Sequence, residues 1–220
     1  MSRRARHTSS DLRELFIDST TGLISEHGLS AVSARTIARK IGYTAGSLYN
    51  VFQDLDDLLL LTEARQIDRL QGVLLEAANG KSGEDAITAC ANAYLGFCRE
   101  NARIWNLVVV HQTGPKKVLP DWYAEKLDAL LAVFDQALSG LIASPEVRAA
   151  HARALWATVH GLVSLSISGK APNLSPDGTA AMLDGILATY LKGMKSELSA
   201  ARPRQPKEIT IERPHAPHGG

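Results

Sequence analysis

Cysteine is nearly absent, aromatic residues make up 5% of the chain, and no apolar run approaches the roughly 20 residues that cross a bilayer. Each shortage excludes something. The two cysteines, Cys90 and Cys98, fall in one helical stretch, about 12 Å apart along its axis at 1.5 Å per residue. That is too far for a disulfide between them, and both read as buried thiols. The start, Met1-Ser-Arg-Arg-Ala-Arg6, runs into Thr8, Ser9, Ser10 and Asp11 and not into a hydrophobic signal region, so a cytoplasmic protein with no membrane partner is expected. Charge of one sign is lacking too: the net charge is +1, which neither requires nor forbids a polyanionic partner.

Catalytic signatures are also missing. There is no Gly-x-Ser-x-Gly, no His-Glu-x-x-His and no glycine-rich phosphate loop; Gly80-Lys-Ser82 lacks the earlier glycine and the preceding strand. No catalytic residue, metal or cofactor is expected, and His215 and His218 near the end are too sparse for a metal site.

What the chain does have is 220 residues with 45% hydrophobic content, enough for a sizeable core, and an uneven charge distribution. Residues 1 to 53 carry seven basic residues (Arg3, Arg4, Arg6, Arg13, Arg35, Arg39, Lys40) against four acids, a balance of +3, and the remainder is at −2.

Helical periodicity runs nearly throughout, with no strand pattern, and predicts an all-α fold of about nine helices. Leu12, Leu15, Phe16 and Leu23 mark a first helix, begun by a Thr8/Asp11 capping box and stopped by Gly28. Ser33 caps a second of about two turns, with Val32 and Ile37 as a hydrophobic staple and Gly42 at its end. Thr44 is expected to cap a third, stapled by Tyr43 and Leu48, ending near Phe52. Asp54, Asp56 and Asp57 place acids at the start of a fourth, where the helix dipole favours them, running to about Ala78. Further helices are expected at about 84–100, 102–112, 120–143, 145–169 and 176–200. From Arg202 a Pro- and Arg-rich composition predicts a disordered tail, 202–220. The organisation is then a basic arm at 1–8, a three-helix unit at 9–57 and a helical bundle at 58–201.

The third helix carries the functional signal. Two short capped helices joined at Gly42-Tyr43 and backed by a longer one form the helix-turn-helix pattern, whose second helix enters the DNA major groove by its N-terminal end. Ala45, Gly46 and Ser47 keep that end slim, and Thr44 and Ser47 offer hydroxyl donors. Leu48 and Phe52, four apart, turn back to the core. Tyr49 and Asn50 point outward, where a phenol reaches the sugar-phosphate backbone and an amide pairs with adenine or bridges to phosphate.

The run Ala34-Arg-Thr-Ile-Ala-Arg-Lys-Ile-Gly-Tyr-Thr-Ala-Gly-Ser-Leu-Tyr-Asn-Val-Phe52, followed by Asp-Leu-Asp-Asp-Leu-Leu, resembles the DNA-binding domain of the TetR family of bacterial transcriptional regulators. The spacing of Ile37-Ala38, Gly42, Leu48-Tyr49 and Phe52 carries the resemblance. It implies a reading helix from Thr44 to Asn50, with Tyr49 on phosphate and Arg35 and Thr36 near the flanking backbone. One position departs: where many members carry a phosphate-touching lysine at the start of the fourth helix, this chain has Leu55, and the arm residues Arg3, Arg4 and Arg6 are expected to supply positive charge instead.

Leu155-Trp-Ala-Thr-Val-His-Gly-Leu-Val-Ser-Leu165 is similar to a run in TetR C-terminal domains named for Trp, His and Gly. Trp156 and His160 share a helix face. Either Trp156 fills the core while His160 satisfies a buried hydrogen bond, or the pair lines an effector pocket with Trp105, His111, Phe97 and Phe134. The resemblance implies a homodimer through the last two helices, operator DNA as partner, and a small-molecule effector that moves the fourth helix. The rival is a helical ligand-binding or protein-interaction module that has lost DNA binding, supported only by the acids at 54–57.

Overall fold

Thr8 opens the first helix as the sequence predicts. Its hydroxyl accepts the Asp11 amide and the Asp11 carboxylate accepts the Thr8 amide, each at 3.1 Å. The structure is a computed structural model describing residues 8–114, 118–168 and 174–200; the arm residues Arg3, Arg4 and Arg6 and the segment 202–220 lie outside the described residues. The helices are α1 (Ser9–His27), α2 (Ala34–Lys40), α3 (Ala45–Tyr49), α4 (Leu55–Ala78), α5 (Gly83–Glu100), α6 (Ala102–Val110), α7 (Asp121–Leu138), α8 (Pro145–Ile167) and α9 (Pro176–Ala200), and there is no strand among the described residues.

Two glycines shape the N-terminal unit by taking a backbone that L side chains avoid. Gly28, at φ +81°, ends α1 and leads into a 3-10 turn at Leu29–Ala31. Gly42, at φ +75°, turns the chain between α2 and α3. The three helices close over Phe16, Ile17, Leu23, Ile37, Ala38, Leu48, Phe52 and, from α4, Leu58. Phe16 and Phe52 meet edge to face at 5.9 Å, and the Ser19 hydroxyl donates to the Ile37 carbonyl at 3.1 Å, tying α1 to α2.

Three expectations are adjusted. Thr44 stands at the N-cap of α3, but its hydroxyl pairs with that of Ser47 at 3.1 Å instead of taking a backbone amide. Regular α3 stops at Tyr49; Val51 and Phe52 both donate their amides to the Leu48 carbonyl, so the chain tightens into a turn that still buries Phe52. α7 ends at Leu138, not near 143: Leu141 and Ile142 continue the apolar rhythm, but their amides converge on the Leu138 carbonyl in a turn.

Long α4 joins the two parts. Its N-terminal turns complete the three-helix core, and its remainder packs on α5 and α7, with α8 and α9 closing the bundle. The bundle core takes Leu60, Ile67, Leu70 and Leu74 from α4, with Tyr94, Trp105, Phe134, Leu155 and Leu183 from the other helices. A small cluster of Ile24, Leu59, Ile104 and Leu107, with Leu29, Val32 and Leu55 against it, makes the joint between the N-terminal unit and α6.

Candidate nucleic-acid interface and its link to the bundle

The cap of α2 is a closed box. The Ser33 hydroxyl accepts the Thr36 amide at 3.1 Å, and the Thr36 hydroxyl accepts the Ser33 amide at 2.9 Å. Thr36 also lies 2.8 Å from the Ala31 carbonyl, so its side chain is committed to shaping the entry into α2, with Arg35 exposed beside it. The turn at Gly42 then presents α3 with Leu48 wholly buried beneath it and Thr44, Gly46, Tyr49 and Asn50 exposed above, Ala45 and Ser47 being half-buried. Tyr49 is 54% exposed, so its phenol is free to meet a partner on this face. Ser47 and Thr44 spend their hydroxyls on each other, and either can still turn outward.

The acids that open α4 are occupied by the protein itself. Asp54 caps the helix by accepting the Asp57 amide at 2.8 Å, and Asp57 accepts the Gln53 amide at 3.3 Å. Leu55 packs into both the three-helix core and the joint cluster, so its apolar character serves the connection between the two parts. Asp56 faces His111, the residue that ends α6, at 3.4 Å. Farther along α4, Glu63 is 3% exposed and holds His111 Nδ1 and, at 2.7 Å, the Tyr123 hydroxyl. On another face of α4, Arg65 pairs with Glu14 and Asp18 of α1. Arg103 of α6 donates to the Ser25 and Glu26 carbonyls at the end of α1, at 3.2 and 2.7 Å.

The remaining aromatic candidates form a packed chain through the bundle. Trp105 meets Phe97 edge to face at 5.7 Å and Tyr94 at 5.8 Å; Arg69 lies over the Phe97 ring at 5.6 Å. The Tyr94 hydroxyl and His160 Nδ1 share a hydrogen bond at 2.7 Å, His160 Nε2 lies 3.3 Å from the Ser164 hydroxyl, and the imidazole stacks on Trp156 at 5.1 Å. Burial lowers the His160 pKa and so favours the neutral ring, in which one nitrogen donates and the other accepts. Phe134 is fully buried in the same core. The Trp105 and Trp156 indole nitrogens and Gln66 Nε2 have no hydrogen-bond partner among the described residues. His111 stands apart from this chain, engaged by the carboxylates of α4. A surface cavity of about 400 Å³ between α4, α5 and α7 is floored by Ala86, Ala129, Val133 and Ala137 and bordered by Lys81 and Gln71; none of the six candidate pocket residues lines it.

Residues 16–61, which span α1 to the start of α4, match the family model described as bacterial regulatory proteins, tetR family, and residues 87–190 match a second, described as tetracyclin repressor-like, C-terminal domain. Together they cover more than half of the chain. The chain belongs to the TetR family. An HTH-type transcriptional regulator of Mycobacterium tuberculosis is 23% identical over 165 residues, 75% of this chain and 74% of that protein. Two solved structures share the fold. A protein from Rhodococcus sp. RHA1 has a TM-score of 0.68 at 20% identity, over 87% of this chain and 98% of the other. The transcriptional regulator FadR from Bacillus subtilis, solved in complex with stearoyl-CoA, has a TM-score of 0.60 at 14% identity, over 82% and 98%. This TetR-family chain is accordingly a helix-turn-helix transcriptional regulator, from a family of DNA-binding regulators. The description of its C-terminal model names no Trp-His-Gly group.

Sequence reasoning missed the long-range ties of α4 and α6. Glu63, Arg65, Arg103 and Tyr123 pair with residues 47 or more positions away, and only one signal pointed to any of them: an acid, Glu63, inside the apolar stretch that follows Leu58.

Proposed function

We propose that this TetR-family protein is a repressor that binds a palindromic operator as a homodimer and releases it when a small molecule enters the bundle. The observation that carries the DNA half is α3 itself: a slim, exposed Thr44–Asn50 face mounted on buried Leu48 and Phe52. Tyr49 takes a phosphate, Asn50 and Ser47 reach base edges, Ala45 and Gly46 let the groove close in, and Arg35 and Thr36 approach the flanking backbone, with Thr36 acting mainly through the α2 cap. The arm residues Arg3, Arg4 and Arg6 add phosphate neutralisation that Leu55 does not provide. The site of action is the cytoplasm, where the DNA is.

The last two helices supply the dimer. α9 leaves Met182 45% exposed beside Gly185, Ile186, Thr189 and Tyr190, and α8 leaves Leu165 55% exposed. Burying such apolar surface against its two-fold copy supports this arrangement, which sets two reading helices about 34 Å apart, one turn of DNA.

Phe97, Trp105, Phe134, Trp156 and His160 are the effector residues in this reading, with His111 held apart from them by the carboxylates of α4. The unpaired donors of Trp105 and Gln66 favour it, because a buried N–H without an acceptor costs about 1–3 kcal/mol. The structural neighbour FadR binds stearoyl-CoA. For this chain the ligand class is an apolar molecule with an acceptor group, and its admission requires the packed rings to part. Selection from a random duplex library tests the DNA reading: enriched sites with two-fold symmetry and half-sites one helical turn apart are expected, and a pool without enrichment contradicts it.

A further inference from the structure

Charge is expensive to bury, and the α4–α6–α7 corner buries a good deal of it. The Glu63 and His111 side chains are 4% and 8% exposed, and the two pair directly. The other Glu63 oxygen takes the Tyr123 hydroxyl at 2.7 Å. The other His111 nitrogen stands 3.4 Å from Asp56 Oδ1, and the second Asp56 oxygen accepts the Gly114 amide at 3.4 Å. Asp56 and Glu63 sit two turns apart on α4, so the imidazole bridges along the helix from the end of α6 while Tyr123 adds a tie from the first turn of α7. A packed apolar cluster would hold this corner as well or better, so the cost of burying charge here calls for another explanation.

We propose that His111 is a proton-operated latch that fixes α4, and with it the reading head, to the α6–α7 corner of the bundle. With both ring nitrogens protonated, the imidazolium donates to Glu63 and Asp56 at once. The neutral ring has one N–H, so it turns a lone pair towards one of the two carboxylates and that tie becomes repulsive. Loss of a single proton therefore opens one side of the latch. Among the described residues, the groups that face the ring are Asp56 and Glu63 from α4, with the Tyr123 hydroxyl of α7 sharing Glu63 and the Gly114 amide sharing Asp56. The two carboxylates lie at opposite nitrogens of the ring and do not converge on one point, so the arrangement suits a proton and not a metal ion; no metal-holding group of three or more such side chains occurs among the described residues.

Position gives the latch its effect. Arg65, two residues beyond Glu63, pairs with Glu14 and Asp18 of α1, so α4 is tied to the reading head on one face and to the bundle on another. The direction follows from the ring's surroundings. The hydrogen bond to Glu63 raises the His111 pKa above its usual value, burial opposing it and the charges of Glu63 and Asp56 assisting. The latch is closed below the ordinary histidine range, at about 6.5, and opens as pH rises through the raised value.

The inference rests on the DNA-binding reading, and its test separates the two. Anisotropy on the selected operator is followed from about pH 6 to about pH 9 for wild type, His111→Gln and Asp56→Asn, with the histidine ring signals titrated by NMR in the same buffers. Wild-type affinity is expected to fall about fivefold more than that of His111→Gln across this range, a typical coupling between linked sites. Identical pH profiles in the two proteins overturn the latch. If His111→Gln does not fold, Asp56→Asn, at the more exposed end, takes its place with the same criterion. A wild type that binds no DNA at any pH sinks the regulator reading alone. The latch is then judged by the ring: a titration above that of free histidine, brought down by Asp56→Asn, supports it, and one at or below that of free histidine overturns it.

Discussion

Gly46 serves two ends that oppose each other. A Cβ built there meets nothing nearer than the Thr44 hydroxyl at 3.8 Å, so alanine fits the protein and removes the entropic cost of glycine in a helix, about 0.5–1 kcal/mol. The same methyl would stand on the face offered to DNA. Gly46→Ala is therefore expected to raise the urea midpoint and lower operator affinity about tenfold, the size of one obstructed contact; a variant that gains stability and keeps full affinity places Gly46 away from the groove. His160 makes a second residue-scale case. Burial lowers its pKa, so on acidification the unfolded chain takes up a proton that the folded ring resists, and stability falls as pH drops below about 6.5. Glutamine at 160 keeps a donor and an acceptor for Tyr94 and Ser164 and does not titrate. His160→Gln should show a flatter melting-temperature profile between about pH 5 and 7 than wild type, opposite in sign to the contribution of His111, which is lost on the alkaline side; parallel profiles would show that His160 is solvated and not buried.

At the scale of elements, α2 depends on its cap. It is short, and Ser33 and Thr36 satisfy donors that a two-turn helix leaves open. Ser33→Ala is expected to cost about 1 kcal/mol in urea unfolding, as cap removals do, and a loss near zero would mean that packing of Ile37 and Ala38 alone positions the helix. The same local devices explain how much of the fold was legible. Thr8 with Asp11, Ser33, Gly28, Gly42 and Asp54 are start and stop signals written within a few residues of where they act, so α1, α2 and α4 were readable at both ends or nearly so. Apolar rhythm misled where burial outlasts the helix: Ile142 is 2% exposed and Phe52 also 2%, yet both lie past the last helical residue. The exposed face of α3 was legible because small residues ahead of two aromatics is a local pattern. The ties of α4 were not, since Glu63 meets His111 and Tyr123 across 48 and 60 residues of chain; its place in an apolar stretch marks an acid that is buried but does not name its partners.

At the scale of the whole molecule, the proposed dimer adds symmetry to this machinery. If α8 and α9 pair with their copies in a dimer, an Ile186→Asp substitution on the apolar face of α9 places a charge at the interface, and size-exclusion chromatography should show the monomer. Separating the two heads also removes the second, effectively intramolecular binding event, so operator affinity should drop by about 10²-fold or more. A dimeric Ile186→Asp protein would move the interface elsewhere. The central claim, that α3 reads DNA, meets its most direct test in fluorescence anisotropy of wild type and Tyr49→Ala on the DNA flanking the protein's own gene, at two salt concentrations. Tyr49 is exposed and outside the core, so the variant should fold normally. Tight, sequence-dependent and salt-sensitive binding by wild type, weakened at least about tenfold in Tyr49→Ala, is the predicted result. Equal binding by the two folded proteins would contradict the placement of the reading surface on α3.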